Sequence, residues 1–208
     1  MSTDRDIVVG SQTDPAMFGL LFPRHSDRIF RYAAKRVGAE AAQDIMSETF
    51  VVAFRRRARF DTEYEDAGPW LFGIATVLIR RHRAGEARVL RALEAATAAF
   101  REGGDGGQAI IERLDAERDV AGLAPAIAAL PRRDRETLLL YAWADLDYAG
   151  VAAALGVPIG TVRSRLNRVR RKLAAAADAA GIRDLTSADA NTRGEGDGCL
   201  GPGAPSAI

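Results

Sequence analysis

Apolar residues recur at three- and four-residue intervals along two stretches of the chain, residues 14–84 and 120–177. Neither stretch shows the two-residue alternation of a strand, so both are predicted to be helical. Between them, residues 85–119 are rich in Ala, Glu and Gly, which is typical of a flexible linker. The polar residues 1–13 are predicted to be a flexible N-terminus, and residues 178–208, rich in Gly, Asp and Pro, a disordered tail. The pattern therefore predicts an all-α protein of two small helical domains.

Three helices are predicted in the first domain. Asp14 followed by Pro15 is typical of a helix start, since Asp caps the N-terminus and Pro fits the first turn. Pro23 is expected to kink or break this segment. A second helix is expected over roughly residues 40–60, with a broad apolar face, and a third is expected to begin at Pro69.

The second domain contains a predicted helix-turn-helix. Asp147 can cap a short helix, Gly156 suits the left-handed residue that ends it, and Pro158 suits the start of the next. Both helices carry apolar stripes at helical spacing: Tyr148, Val151, Ala152 and Leu155 in the first, and Val162, Leu166, Val169 and Leu173 in the second.

The outward face of the second helix is polar and strongly basic, and no acidic residue occurs between Asp147 and Asp178. The exposed face of an ordinary amphipathic helix usually carries Glu residues between its Lys and Arg residues, which allows i,i+4 ion pairs. This helix has no Glu. We therefore expect it to neutralise phosphates and to offer Arg and Asn side chains to base edges. Its outward residues are Thr161, Arg163, Ser164, Arg165, Asn167, Arg168, Arg170, Arg171 and Lys172.

The formal net charge is only +1, but arginines cluster at residues 55–59, at residues 80–83 and on the predicted recognition helix. Such segregation favours a nucleic-acid partner. One cysteine and two histidines provide neither an internal disulfide nor a metal-ligand cluster, so no cofactor is expected. The N-terminal MSTDRD does not resemble a signal peptide, and no apolar run approaches the ~20 residues that span a bilayer, which predicts a cytoplasmic protein.

Two segments together resemble one family. They are AAQDIMSETFVVAFRR in the first domain, and LPRRDRETLLLYAW with GVPIGTVRSRLNRVRRKL in the second. The pair resembles the extracytoplasmic-function (ECF) sigma factors, the compact branch of the sigma-70 family of bacterial RNA polymerase subunits. The resemblance covers residues 15–84, as sigma region 2, and 120–176, as sigma region 4. It implies core polymerase (β and β′ subunits), promoter DNA and an anti-sigma factor as partners, and no enzymatic reaction.

The resemblance also implies which residues act, in three groups. Contact with core polymerase is assigned to Asp44, Glu48 and Thr49. Contact with the −10 element is assigned to Arg55, Arg56, Arg59, Phe60, Tyr64, Arg80, Arg81 and Arg83. Residues 61–68, here called the specificity loop, would accept a flipped base. Contact with the −35 element is assigned to Thr161, Arg163, Ser164, Arg165, Asn167, Arg168, Arg170 and Arg171, with Arg163 and Arg168 expected at base edges.

The chain departs from the family pattern in the third helix. Val77 and Arg81 stand where the family usually has Asn and Asp, which leaves the −10 preference open. Three other classes of protein account for the sequence less well. A stand-alone regulator would need a dimerisation surface, and the linker lacks sustained heptads. A helical protein-interaction module does not explain the acid-free basic face. An enzyme is least favoured, because no metal cluster, nucleophile-base set or phosphate loop stands out.

Overall fold

The computed structural model describes residues 2–98 and 123–180, and within them every regular element is a helix. This confirms the predicted all-α architecture. Two 3-10 segments, Pro15–Leu21 and Arg57–Arg59, accompany the α-helices. In chain order the α-helices are α1 (Asp4–Gly10), α2 (Phe22–Val37), α3 (Ala39–Arg56), α4 (Gly68–Ala98), α5 (Ala124–Ala128), α6 (Arg132–Trp143), α7 (Tyr148–Leu155) and α8 (Ile159–Ala180).

The N-terminal domain is built around α2, which packs against both α3 and α4. Ile29, Tyr32 and Phe72 are fully buried there, and the rings of Tyr32 and Phe72 meet edge to face at 5.3 Å. Each buried apolar side chain of this size stabilises the fold by about 1.5–3 kcal/mol. The predicted interruption at Pro23 is confirmed, because a 3-10 segment ends at Leu21 and Pro23 lies in the first turn of α2.

The C-terminal domain contains the predicted helix-turn-helix, formed by α7 and α8. The Asp147 carboxylate caps α7 by accepting a 2.7 Å hydrogen bond from the Gly150 amide. Gly156 ends α7 in the left-handed region, at φ 61° and ψ 42°, as its residue type predicted. Val162 and Leu166 of α8 are buried, so the predicted apolar stripe is confirmed at these positions.

Three predicted boundaries differ from the structure. The N-terminus is not flexible over α1, because Ile7 and Val8 are fully buried and Thr3 forms a capping box with Asp6. Helix α4 continues to Ala98, beyond the predicted end of the first domain at residue 84, and α8 continues to Ala180. The predicted linker from residue 99 onward and the predicted tail from residue 181 onward lie outside the described residues.

The two domains pack directly against each other, mainly through α4 and α7. Gly73 of α4 lies so close to α7 that a Cβ atom there would stand 2.5 Å from the carbonyl oxygen of Ala154. The Arg28 guanidinium of α2 donates a 3.0 Å hydrogen bond to the carbonyl of Ala144, beyond the end of α6. Close backbone approach and cross-domain hydrogen bonds hold this closed arrangement together.

A buried polar network also joins the domains. Arg36 is 2% exposed and donates to Glu136 Oε1 of α6 at 2.7 Å and to the Tyr32 hydroxyl at 2.6 Å. The Tyr32 hydroxyl also lies 2.9 Å from Thr76 Oγ1. Burial alone would lower the pKa of Arg36, but Tyr32 and Glu136 outweigh it and raise that pKa above its usual value. Burial raises the pKa of Tyr32, so this hydroxyl keeps its proton.

Candidate nucleic-acid interface

Helix α8 presents the basic face that its sequence predicted. Arg163, Ser164, Asn167 and Arg171 are exposed. The Ser164 hydroxyl donates to the Thr161 carbonyl at 3.0 Å, and Thr161 is half-buried in the first turn. Because Val162, Leu166 and Val169 hold the opposite side of α8 in the core, the polar side is presented as one rigid surface.

Three of the predicted −35 arginines are engaged inside their own domain. Arg168 pairs with both carboxylate oxygens of buried Asp134 at 3.1 Å, although its side chain remains 55% exposed. Arg170 donates to the Tyr148 hydroxyl at 3.0 Å, and Arg165 lies 3.5 Å from the Thr137 hydroxyl. These contacts tie α8 to α6 and α7.

The predicted −10 arginines divide into exposed and engaged groups. Arg55, Arg56 and Arg59 are exposed around the end of α3, and Arg80 and Arg81 are exposed on α4. Arg83 is different, because it is partly buried and donates to the main-chain carbonyl of Arg36. Burial, followed by repulsion from Arg36, lowers the pKa of Arg83. The structure therefore does not bring Arg83 to the exposed basic surface.

The specificity loop borders a cavity of about 670 Å³ between the two domains. On the loop side, Tyr64 is 42% exposed, whereas Phe60 is buried and packs edge to face on Trp70 at 5.2 Å. Phe60 is therefore part of the cavity wall and does not project into solvent. The opposite wall comes from α7 and the turn that leads into α8, namely Ala149, Ala152, Ala153, Gly156, Val157, Pro158 and Ile159.

The predicted polymerase-binding residues of α3 do not all face outward. Asp44 and Glu48 are exposed on one face, four residues apart. Thr49 is fully buried, and its hydroxyl donates to the Ile45 carbonyl at 2.7 Å. Its assignment as a contact residue does not fit this position, since a side chain bonded inside its own helix cannot reach a partner.

Sequence reasoning missed a second buried polar group, centred on Asp4 of α1. Asp4 is 8% exposed and accepts hydrogen bonds from Arg24, His25 and the Ala67 amide. Burial alone would raise the pKa of Asp4, but these hydrogen bonds, that from Arg24 first, bring it below the usual 3.8. The T-x-x-D spacing of Thr3 and Asp6 resembles a capping box and was the signal that could have revealed α1.

The fold and this surface define a two-domain helical protein with a helix-turn-helix and an exposed basic face. Two sequence models of known families match it: "Sigma-70 region 2" over residues 21–89 and "Sigma-70, region 4" over residues 123–173. Together they span more than half of the chain. The chain therefore belongs to the sigma-70 family.

A curated relative places the chain in the ECF branch of that family: the ECF RNA polymerase sigma factor SigC of Mycobacterium tuberculosis is 31% identical over 156 residues, and the alignment covers 72% of this chain and 77% of SigC. The ECF RNA polymerase sigma factor BldN of Streptomyces coelicolor is 30% identical over 159 residues. The alignment covers 76% of this chain but only 59% of BldN.

Two solved structures support the fold. One is CnrH in complex with the cytosolic domain of CnrY, with a TM-score of 0.56 and 23% identity, covering 85% of this chain and 97% of that one. The other is the sigma factor RpoE in complex with the anti-sigma factor NepR from Bartonella quintana. Its TM-score is 0.50 and its identity 21%, covering 77% of this chain and 96% of that one.

Proposed function

We propose that this chain directs promoter-specific transcription initiation as a dissociable subunit of RNA polymerase. The observation that carries the proposal is the exposed basic face of α8, which carries no acidic residue from 161 to 172 and is held in a domain that matches sigma region 4. The proposal assigns −35 recognition to residues 120–177, and −10 recognition and polymerase binding to residues 14–84. The chain would act through binding energy, and no reaction is assigned to it.

Base reading is assigned to the exposed residues of α8. Arg163 and Asn167 are exposed on α8. The guanidinium group of Arg and the amide group of Asn can each form two hydrogen bonds with a base edge in the major groove. Arg168 combines contact with DNA and support of the domain through Asp134. Each good bidentate pair contributes about 1–3 kcal/mol of discrimination against the wrong base.

Promoter binding requires the two domains to separate. Elements near −10 and −35 lie about 25 base pairs apart, or roughly 85 Å at 3.4 Å per base pair. In the closed arrangement, the specificity loop and the turn before α8 instead line the same cavity. Core polymerase would therefore bind the open form and hold the domains apart. An anti-sigma factor, such as the one that the RpoE complex contains, would favour a form that cannot bind the promoter.

We infer that the chain works in the cytoplasm, where the polymerase and promoter DNA are found. Among the described helices, none combines the length and the apolar character needed to cross a bilayer.

Abortive initiation with purified core polymerase on a promoter library tests the proposal. We expect the chain to direct initiation from sequences that share spaced −35 and −10 motifs. Tight, specific binding to free promoter DNA without polymerase would instead indicate a stand-alone regulator. The absence of any binding to core polymerase would contradict the proposal outright.

Charge reversal tests the polymerase-binding face of α3. We expect Asp44→Arg and Glu48→Arg each to weaken binding to core polymerase, because the exposed acids of this face would meet basic partners. Asp27→Arg, on an exposed position of α2, is the matched control and should leave affinity unchanged. Equal affinities for all of these variants would remove α3 from the interface.

A further inference from the structure

Helix α1 is bonded to the specificity loop at two successive points. The Arg5 amide donates to the Glu65 carbonyl at 3.2 Å, and the Ala67 amide donates to Asp4 Oδ2 at 3.1 Å. A more exposed ion pair joins the side chains of Arg5 and Glu65 at 3.5 Å. The end of the loop that leads into α4 is therefore fixed to α1.

Asp4 is itself held from α2. Arg24 Nη1 lies 2.7 Å from Asp4 Oδ1, and His25 Nε2 lies 2.5 Å from Asp4 Oδ2. Each carboxylate oxygen thus has a partner on α2, and Oδ2 also accepts from the loop. Asp4 connects the rigid body of the domain to the loop, and as a charged acceptor it forms stronger hydrogen bonds than a neutral group would.

Most of the loop remains exposed. Ala67 is fully buried, whereas residues 61–66 are exposed, and Tyr64 faces the cavity between the domains. The Tyr64 amide donates to the Asp61 carbonyl at 3.2 Å, which closes a tight turn. Because that turn is continuous with the fixed segment beside it, we expect its orientation to follow that segment.

The same group could be read as a metal site, since ligating atoms of Asp4, His25 and Asp66 lie within 4.8 Å of one another. The electrostatics oppose this, because the Arg24 guanidinium already pairs with Asp4. A cation would have to displace that charge and the Ala67 amide. The geometry therefore favours Asp4 as a hydrogen-bond acceptor that joins α2 to the specificity loop, and not as a metal ligand.

We propose that Asp4 is a positioning residue for −10 recognition, setting the orientation of the specificity loop through the Ala67 amide. It lies outside residues 21–89, the part of the chain that matches sigma region 2. The inference rests on the proposed function, since it assumes that the loop reads the −10 element. It predicts that loss of Asp4 alters −10 selectivity while the −35 domain, more than 100 residues further along the chain, keeps its preferences.

The test compares wild type with Asp4→Asn in initiation from two libraries, one randomised at the −10 element and one at the −35 element. We expect preference at the −10 position read by the loop to fall about tenfold, within the range of one base contact. The −35 profile and affinity for core polymerase should stay unchanged. Hydrogen exchange should show faster exchange of the Ala67 amide in the same variant.

Two further variants separate positioning from general damage. Asp6→Asn weakens the capping box of α1, and Asp6 is an exposed residue of the same helix, so it is expected to leave the −10 profile unchanged. Arg24→Gln removes one support of Asp4 at a side chain that is 32% exposed. It should shift the −10 profile in the same direction as Asp4→Asn, by a smaller factor, even if Asp4→Asn folds poorly.

Each result decides for or against the inference. An unchanged −10 profile despite faster exchange at Ala67 would show that the loop is held there but not set for recognition. Equal loss at −10 and −35, or an equal effect of Asp6→Asn, would reduce Asp4 to a stabilising residue. If wild type itself failed to initiate, the proposed function would fall first, and this inference with it.

Discussion

The ion pair between Arg36 and Glu136 should set the balance between closed and open forms. Arg36 belongs to the N-terminal domain and Glu136 to the C-terminal domain, with 2.7 Å between Nη2 and Oε1. We expect Glu136→Gln to favour separation of the domains. In the closed form it would leave the buried Arg36 cation without a counter-charge, whereas in the open form water would solvate that cation.

The size of the effect follows from burial. The two side chains are only 2% and 12% exposed, so solvent screens the pair weakly. Removing one partner of a buried pair typically costs about 3–5 kcal/mol. Gln keeps an acceptor oxygen, which favours the lower end of that range. About 3 kcal/mol corresponds to roughly a 100-fold shift from closed to open.

Small-angle X-ray scattering of the free chain measures this shift directly. We expect a larger radius of gyration for Glu136→Gln, with unchanged helicity by circular dichroism. Asp27→Asn is the matched control, because it breaks the exposed pair between Asp27 and Arg31 on the same helix as Arg36. Exposed pairs contribute only about 0–1 kcal/mol, so its scattering should match wild type.

A neutral double variant sharpens the test. Arg36→Met with Glu136→Leu removes both charges and should restore compact scattering, since an apolar pair can replace a buried ion pair at little cost. Core polymerase should bind Glu136→Gln more tightly than wild type, because more of the free chain is already open. Unchanged scattering of folded Glu136→Gln would refute the reasoning, and so would an equally open double variant.

Three other predictions follow from single contacts. Gly73→Ala should separate the domains, because the new Cβ would clash with the Ala154 carbonyl. Helix α4 itself should remain intact, since Ala favours a helix over Gly by about 1 kcal/mol. Scattering measures the separation, and thermal melting measures the stability of the helices. Arg168→Ala should lower the melting temperature, since it leaves buried Asp134 unpaired, and an unchanged melting temperature would contradict the structural role. Asp4 has a pKa below 3.8 in the fold, so its contribution to stability is present above that pH and is lost as pH falls through the lowered value. Urea titrations from pH 6 to pH 2 should therefore show a steeper loss for wild type than for Asp4→Asn.

The helix-turn-helix could be predicted in detail because its signals are local. The Asp147 cap, the left-handed Gly156 and the apolar stripe of α8 each depend on residues a few positions apart. Helix α1 was missed because it has only seven residues, too few to form a helix alone. Its stability comes from burial of Ile7 and Val8, which its polar flanks conceal in the sequence.

The candidate site was predicted by residue type and corrected by position. Thr49 and Asp44 lie on the same helix, yet one is buried and the other exposed. Among the arginines, Arg83 turns toward the carbonyl of Arg36, while Arg81 stays exposed two residues earlier. A basic run in the sequence does not say which of its members a neighbouring helix will engage.

The sequence by itself determined the helix-turn-helix, its caps and the segregation of charge onto α8, because periodicity and capping act within one or two turns. Only the tertiary structure decided that the domains close on each other and which cations remain available. Those outcomes depend on partners 100 residues apart, as for Arg36 and Glu136, or 34 apart, as for Arg168 and Asp134. Such pairs form only after separate helices have packed, and burial then fixes the strength of each pair.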